Sequence, residues 1–139
     1  PSTICDIGHN EHGLKHNFAQ LEAMLRDGRC TRLIIVYGSV ADKDVDSVLH
    51  LMPEGATYIF TQASSKRALP AEEIRSRYLA FCSDSGRSPE DIYCRSTVIE
   101  AMELARTLAA QIEKSDPAAR VLIYVGGSTY VVSEAVAML

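Results

Sequence analysis

The stretch Arg32-Leu33-Ile34-Ile35-Val36-Tyr37 decides the fold class, because it is apolar at nearly every position. A strand with one face in water alternates apolar and polar residues, whereas a parallel-sheet strand covered on both faces is apolar almost throughout. Residues 121–125 repeat this pattern near the other end of the chain. Both stretches therefore predict strands of a parallel sheet that is covered on both faces.

Strands and helices alternate along the rest of the chain. Further strands are predicted at 3–7, 57–61 and 92–94, and helices at 11–27, 44–52, from 69, after a capping box at 97–100, and from 129. This alternation predicts an α/β, Rossmann-like fold with a mostly parallel sheet of about five to six strands and helices on both faces. At 139 residues the chain is predicted to be a single domain, 1–139.

Composition is that of a globular protein. Hydrophobic residues make up 47% of the chain, charged residues 23%, and the net charge is −4. Nucleic-acid binding needs concentrated lysine and arginine, so no nucleic-acid partner is expected. No apolar run is long enough to span a bilayer and no signal peptide is visible, so no membrane partner is expected.

The four cysteines, at positions 5, 30, 82 and 94, have no C-x-x-C spacing. They fit neither a zinc site nor a disulfide framework. Buried free thiols in a reducing cytoplasm are the simplest interpretation. The chain begins at Pro1 and enters a strand almost at once, so we expect a fragment of a longer protein.

Four loops follow predicted strands, and ligands of such sheets bind at the carboxyl ends of strands. These loops are 6–13, 38–44, 61–67 and 126–130. In the first loop, His9 could contact a phosphate or a carboxylate, although capping or packing accounts for a lone histidine equally well. Asp6 could bind a sugar hydroxyl or orient His9, or it could only stabilise the turn. Asn10 is expected to cap the helix that follows.

Two other loops offer groups for an anionic ligand. Lys43 lies between Asp42 and Asp44, which suits a point charge held for an anion; the alternative is a charged turn with Asp42 as helix N-cap. Gly127-Ser128 could offer backbone N–H groups and a hydroxyl to a carboxylate. The alternative there is a glycine turn with Ser128 as N-cap.

The chain lacks several motifs that mark nucleotide-binding and esterase sites. The chain contains no G-x-x-x-x-G-K-[ST] phosphate loop, no G-x-G-x-x-G fingerprint and no G-x-S-x-G elbow. It therefore has no evident means of holding a triphosphate and magnesium by itself. His12 and His16 lie one turn apart without an evident third ligand, so no metal site is predicted in this chain.

Taken together, the loops resemble one enzyme family. Asp6-Ile7-Gly8-His9-Asn10 resembles the D-x-A-H-N-P signature of folylpolyglutamate synthases, and residues 38–44 resemble their G-x-x-x-D-K-D loop. Residues 125–134 are similar to their V-T-G-S-L-Y-L-V-G-E end, and Thr61-Gln62 followed by 67–73 also fits. The chain departs from these signatures where Gly8 replaces alanine, Glu11 replaces proline and Gly126 replaces threonine. We expect Gly8 to be a neutral change and Gly126 to remove a hydroxyl near a glutamate site.

The resemblance implies a function. Folylpolyglutamate synthases are Mur-type ATP-dependent amide ligases, and this chain resembles their C-terminal glutamate-ligase domain. ATP and Mg²⁺ would both be held mainly by an N-terminal ATPase domain, which is absent here. L-glutamate would be added to a reduced folate through an acyl phosphate. Addition to dihydropteroate stays open, as do a peptidoglycan-precursor Mur ligase and a non-catalytic Rossmann-like binding module.

The resemblance also implies roles for individual residues. Asp6 and Asn10 would bind ATP across the cleft between the two domains. His9 and Lys43 would act in catalysis. His9, Lys43 and Ser128 would bind the incoming glutamate.

Overall fold

The computed structural model describes residues 1–8, 11–41, 44–89 and 91–139. The strands are β1 (Ser2–Cys5), β2 (Arg32–Tyr37), β3 (Thr57–Phe60), β4 (Ile92–Cys94) and β5 (Val121–Gly126). The helices are α1 (Glu11–Asp27), α2 (Val45–Leu49), α3 (Ala71–Ser85), α4 (Val98–Ser115) and α5 (Thr129–Val136). β1 ends at Cys5 rather than at residue 7, because the Asp6 side chain accepts the Gly8 N–H and turns the chain.

The described strands form one sheet of five strands in the order β1-β5-β2-β3-β4. Every pair of neighbouring strands is parallel. β5 and β2 lie inside the sheet and are buried along nearly their whole length. The predicted α/β, Rossmann-like fold is therefore confirmed.

Two separate apolar clusters cover the two faces of the sheet. Ile35 and Tyr37 of β2 pack with α1, α2 and α3, whereas Ile34 and Val36 pack with α4 and α5. Successive side chains of a strand point to opposite faces, so an all-apolar strand feeds both clusters. Each buried Leu, Ile, Val or Phe side chain contributes about 1.5–3 kcal/mol relative to exposure, so this layering stabilises the domain.

The path of the chain creates a topological switch point at one edge of the sheet. From β1 through β4 the connecting helices lie on one face, and α4 then returns on the other face to β5, between β1 and β2. A single crossover hand requires this change of face when the chain reverses direction. β5 therefore leaves toward the opposite face from its two neighbours, and ligands of open α/β sheets bind at such a switch point.

Helix starts follow local signals. Thr97 caps α4, since its Oγ1 accepts the Glu100 N–H at 3.1 Å, and its hydroxyl lies 2.8 Å from the Glu100 carboxylate. The Thr97 hydroxyl therefore makes both side-chain contacts at this cap: it accepts the Glu100 N–H and donates to the Glu100 carboxylate. Pro70 is the N-cap of α3, so this helix begins at Ala71 rather than at residue 69.

All four cysteines are free thiols. Cys30 and Cys82 are buried. Burial raises the pKa of Cys5, and it is the main cause that raises the pKa of Cys94 to about 11. Thiols with raised pKa values carry little thiolate at neutral pH, so these side chains act as small apolar groups.

In the described part of the chain, no helix has the length and apolar character needed to cross a membrane.

Candidate functional site

The candidate site lies at the carboxyl edge of the sheet, where the turns after β1, β5 and β2 leave side by side. The Asp6 N–H donates to the Val125 carbonyl at 2.9 Å, and the Gly38 N–H donates to the Gly126 carbonyl at 3.3 Å. These bonds continue the strand pairing into the turns. The three turns are thereby held in a fixed arrangement around the switch point.

Asp6 is held from three sides. Its Oδ1 accepts the Gly8 N–H at 2.9 Å, and its Oδ2 accepts both the Tyr124 hydroxyl at 2.5 Å and the amide of Asn17. Tyr124 is buried on β5, and burial together with the bond to Asp6 raises the pKa of its hydroxyl. Asp6 thus stabilises the turn and joins β1, β5 and α1. Nothing in these contacts tests a role toward ATP, which stays a prediction.

Ser128 is a buried helix cap. It is 4% exposed, its Oγ accepts the Tyr130 N–H at 3.1 Å, and its carbonyl accepts the Val132 N–H at 3.1 Å. The N-cap alternative is therefore observed. The hydroxyl still has a hydrogen to donate, since the cap uses only its oxygen. Binding of glutamate by Ser128 stays a prediction.

Gly127 sets the shape of the turn after β5. Its φ is 99°, a region that glycine occupies without penalty. A Cβ at this position would lie 2.2 Å from the Gly38 carbonyl oxygen and 2.6 Å from the Tyr37 ring. Only glycine therefore lets the turn after β5 approach the end of β2 this closely.

The loops after β2 and β3 are joined by backbone hydrogen bonds. The Leu69 N–H donates to the Ser39 carbonyl at 2.8 Å, and the Ala41 N–H donates to the Arg67 carbonyl at 2.6 Å. Ser39 is buried. These bonds bring the second and third candidate loops together, as expected for neighbouring strand ends.

Several polar groups of the loop after β3 have structural partners. The Gln62 Oε1 accepts the Ala71 N–H at 2.9 Å at the start of α3, and the Ser64 N–H donates to Glu134 at 3.0 Å. The Thr61 Oγ1 is buried and has no hydrogen-bond partner among the described residues. This loop is therefore largely fixed by its own contacts.

Sequence reasoning missed Tyr124 and Asn17. Tyr124 gives a signal, since a tyrosine within a strand buried on both faces needs a partner for its hydroxyl. Asn17 gives none, because an amide on a helix is most often solvated. The expectation that Gly8 is a neutral change stays a prediction. A Cβ at Gly8 would lie 3.1 Å from Asn17 Nδ2 and 3.2 Å from Asp6 Oδ1, so these groups would have to shift.

Several predicted site residues lie outside the described residues, namely His9, Asn10 and Lys43, together with Asp42. Their roles stay predictions. The cap of α2 is Asp44, whose Oδ1 accepts the Ser47 N–H at 3.3 Å. His12 and His16 are exposed, and the described ranges contain no group of three or more His, Cys, Asp or Glu side chains placed to hold a metal ion.

A polar cavity of about 330 Å³ lies at the opposite edge, before β3 and β4 begin. Its cation, Arg87, donates to the Met52 carbonyl at 2.7 Å, pairs with Glu54 at 3.2 Å and lies 5.1 Å from the Phe81 ring centre. These contacts hold the loop before β3 against α3. Since the Arg87 charge is already paired, the described residues that line this cavity offer no free cation to an anionic ligand.

The five-stranded parallel sheet with helices on both faces defines a Rossmann-like α/β domain. Residues 1–126 match the family described as the Mur ligase glutamate ligase domain. This match spans most of the chain, and the chain belongs to that family. No curated protein matches the chain.

Solved structures share the fold. The folylpolyglutamate synthase of Mycobacterium tuberculosis, complexed with ADP and AMPPCP, has 24% identity and a TM-score of 0.79, covering 99% of this chain and 29% of that one. E. coli FolC, in complex with DHPP and ADP, has 19% identity and a TM-score of 0.68, covering 98% and 28%. A bifunctional folylpolyglutamate synthase/dihydrofolate synthase with Mn, AMPPNP and L-glutamate bound has 17% identity and a TM-score of 0.67, covering 98% and 28%.

These likenesses establish the fold of this chain. The chain spans less than a third of the length of each of these three structures.

Proposed function

We propose that this chain is the C-terminal glutamate-ligase domain of a folylpolyglutamate synthase. The whole enzyme would add L-glutamate to the terminal carboxylate of tetrahydrofolate or a folylpolyglutamate, using ATP. The observation that carries the proposal is the family match over residues 1–126, joined to a fold shared with folylpolyglutamate synthases over at least 98% of the chain. Those structures hold ADP or ATP analogues, and one holds L-glutamate, which supports both as ligands here.

In the proposed reaction, a carboxylate oxygen of the folate attacks the γ-phosphorus of ATP, and ADP leaves. The amine of L-glutamate then attacks the acyl carbon, loses a proton, and phosphate leaves as the amide bond forms. Holding amine and acyl phosphate together makes this attack effectively intramolecular, which is worth about 7–11 kcal/mol of barrier in well-oriented systems. The contribution of this chain is therefore positioning and charge stabilisation.

The proposed roles follow the turns at the carboxyl edge. Asp6 and Asn10 bind the nucleotide, and His9 positions a phosphate or the incoming glutamate. Lys43 pairs with a glutamate carboxylate. Ser128 contributes its remaining hydroxyl hydrogen at the start of α5, where the helix dipole favours a negative group.

A second domain is part of the proposal. Apolar side chains are exposed where the turn after β1 and the starts of α4 and α5 reach the carboxyl edge: Ile7 is 67% exposed, Ile99 54% and Tyr130 42%. An N-terminal ATPase domain of the same protein would cover them. The described residues offer no metal-ligand cluster, so we assign Mg²⁺, which neutralises phosphate charge when bound, to that domain. Free thiols throughout support a reducing compartment such as the cytoplasm.

Phosphate release by the full-length natural protein tests this function. The protein would be given ATP, Mg²⁺ and L-glutamate with tetrahydrofolate, dihydropteroate or a muramoyl-peptide nucleotide offered separately. Release with tetrahydrofolate supports the folate proposal, and added release with dihydropteroate shows bifunctionality. Release only with the muramoyl substrate assigns the protein to the peptidoglycan branch, and no release with any of them favours the non-catalytic binding module.

The Lys43→Ala variant tests the glutamate site. Loss of a carboxylate partner is expected to raise the KM for glutamate by about tenfold or more while the KM for ATP changes by about twofold at most. Lys66→Ala is the matched control, since Lys66 is an exposed lysine in the neighbouring loop. Equal effects of Lys43→Ala on both KM values would show that Lys43 does not bind glutamate.

A further inference from the structure

We propose that Tyr124 and Asn17 are positioning residues that hold the Asp6 carboxylate in one orientation and so fix the turn that follows β1. Gly8 and Gly126 are the positions that leave room for them. This role rests on the proposed function for the nature of the ligand, a nucleoside di- or triphosphate. The hydrogen bonds that carry it are independent of any ligand.

The geometry of the carboxylate carries the first step. Tyr124 and Asn17 both donate to Oδ2, while Oδ1 accepts the Gly8 N–H at 2.9 Å. A carboxylate bonded at one oxygen only can rotate about its Cβ–Cγ bond. With Oδ2 held from a strand and from a helix, Oδ1 stays directed at the Gly8 N–H, and the turn is preorganised.

The Tyr124 donor is itself fixed by packing. Tyr124 is 1% exposed, and its ring meets the Phe18 ring edge-on at 5.7 Å between centroids. Asn17 precedes Phe18 on α1 and is half-buried. The Tyr124 ring therefore cannot turn away without disturbing the packing of α1 on the sheet.

Space for both donors comes from the two glycines. A Cβ at Gly126 would lie 2.8 Å from the Tyr124 hydroxyl oxygen and 2.9 Å from its Cε1. A Cβ at Gly8 would lie 3.1 Å from Asn17 Nδ2. The chain departs from the resembling signature, which has threonine and alanine, at both of these positions. A Cβ at Gly126 requires the Tyr124 ring to shift, whereas a Cβ at Gly8 requires Asn17 to move by a few tenths of an ångström.

Tyr124→Phe in the full-length protein removes one donor to Oδ2 and leaves the ring. The Kd for ADP, measured by calorimetry, is expected to rise about tenfold, which corresponds to about 1.4 kcal/mol, and the KM for glutamate to change by about twofold at most. Hydrogen exchange of the Gly8 amide, measured by mass spectrometry with fragmentation, is expected to become about tenfold faster, because its acceptor is no longer held in place.

Tyr58→Phe is the matched control. Tyr58 is a buried tyrosine whose hydroxyl also donates at 2.5 Å, to the Pro53 carbonyl at the opposite edge. The Tyr58→Phe variant should lower the free energy of unfolding about as much as Tyr124→Phe does, but it should change neither the Kd for ADP nor the exchange rate of the Gly8 amide. Asn17→Ala, a change at a half-buried position, should act like Tyr124→Phe, and Gly126→Thr should do so by displacing the ring.

The outcomes separate this role from the proposed function. If the unaltered protein binds ADP, and Tyr124→Phe and Asn17→Ala match Tyr58→Phe in both the Kd and the Gly8 exchange rate, the positioning role is overturned while the function stands. If the unaltered protein binds no ADP, the proposed function fails. Faster Gly8 exchange in Tyr124→Phe than in Tyr58→Phe would then still support the positioning of the turn, and equal rates would overturn it.

Discussion

Replacing Gly127 with alanine measures how tightly the turn after β5 packs against the end of β2. A Cβ at this position would lie 2.2 Å from the Gly38 carbonyl oxygen and 2.6 Å from a carbon of the Tyr37 ring. The carbonyl belongs to the backbone, and the Gly38 N–H is bonded to the Gly126 carbonyl at 3.3 Å. The chain can therefore relieve the contact only by separating β2 from β5 at this edge.

The expected magnitude has two parts. A residue with a Cβ at a positive φ of this kind costs about 1–2 kcal/mol. Forcing a methyl group into a packed site costs about 1–3 kcal/mol more. The free energy of unfolding is expected to fall by about 2–5 kcal/mol, a large part of the roughly 5–15 kcal/mol that stabilises natural domains.

Urea unfolding of the chain, followed by circular dichroism, measures the loss. Gly55→Ala is the matched control, because Gly55 has a φ of 79° and no heavy atom lies within 4 Å of a Cβ placed there. It should lose only the backbone contribution of about 1–2 kcal/mol. A loss for Gly127→Ala no larger than that for Gly55→Ala would refute the close packing of the two turns.

Other changes test the hydrogen bonds of two threonines, the contacts of Arg87 at the edge where β3 and β4 begin, and the dependence of stability on pH. Thr61→Val removes a buried hydroxyl that lacks a hydrogen-bond partner among the described residues, so urea unfolding should show no loss or a gain of about 1 kcal/mol. The same change at the helix cap Thr97 should cost about 1 kcal/mol, and equal effects would contradict both expectations. Arg87→Met removes a hydrogen bond to a loop carbonyl, so calorimetry should show a loss of about 1.5–3 kcal/mol, against at most about 0.5 kcal/mol for the exposed Arg75→Met. Burial raises the pKa of Tyr37 from 10.0 to about 12, so the native state binds this proton more tightly than the unfolded state does. The stabilisation that this proton provides is complete below pH 10 and is lost between pH 10 and about 12, at about 1.4 kcal/mol per pH unit. Tyr37→Phe should make this decline in the free energy of unfolding shallower, and an unchanged slope would count against the raised pKa of Tyr37.

Local patterns in the sequence determined the elements and their layers. α1 spans Glu11–Asp27 and β2 spans Arg32–Tyr37, as predicted, because apolar spacing within one element reports which of its faces is covered. The turns at the carboxyl edge were also identified in advance, since parallel strands bring their ends together. The Ser128 cap was one of two roles left open, and the structure shows the cap.

Only the tertiary structure decided which polar groups meet. Asp6 and Tyr124 lie 118 positions apart, and they touch because β5 is inserted beside β1 rather than beside β4. That strand order depends on long-range crossovers, which no local pattern encodes. Asn17 likewise reaches Asp6 through the packing of α1 on the sheet. The sequence alone therefore determined where the candidate site lies, because element type and strand ends are local properties. The hydrogen-bond partners within that site are set by contacts between distant segments, and only the folded chain decided them.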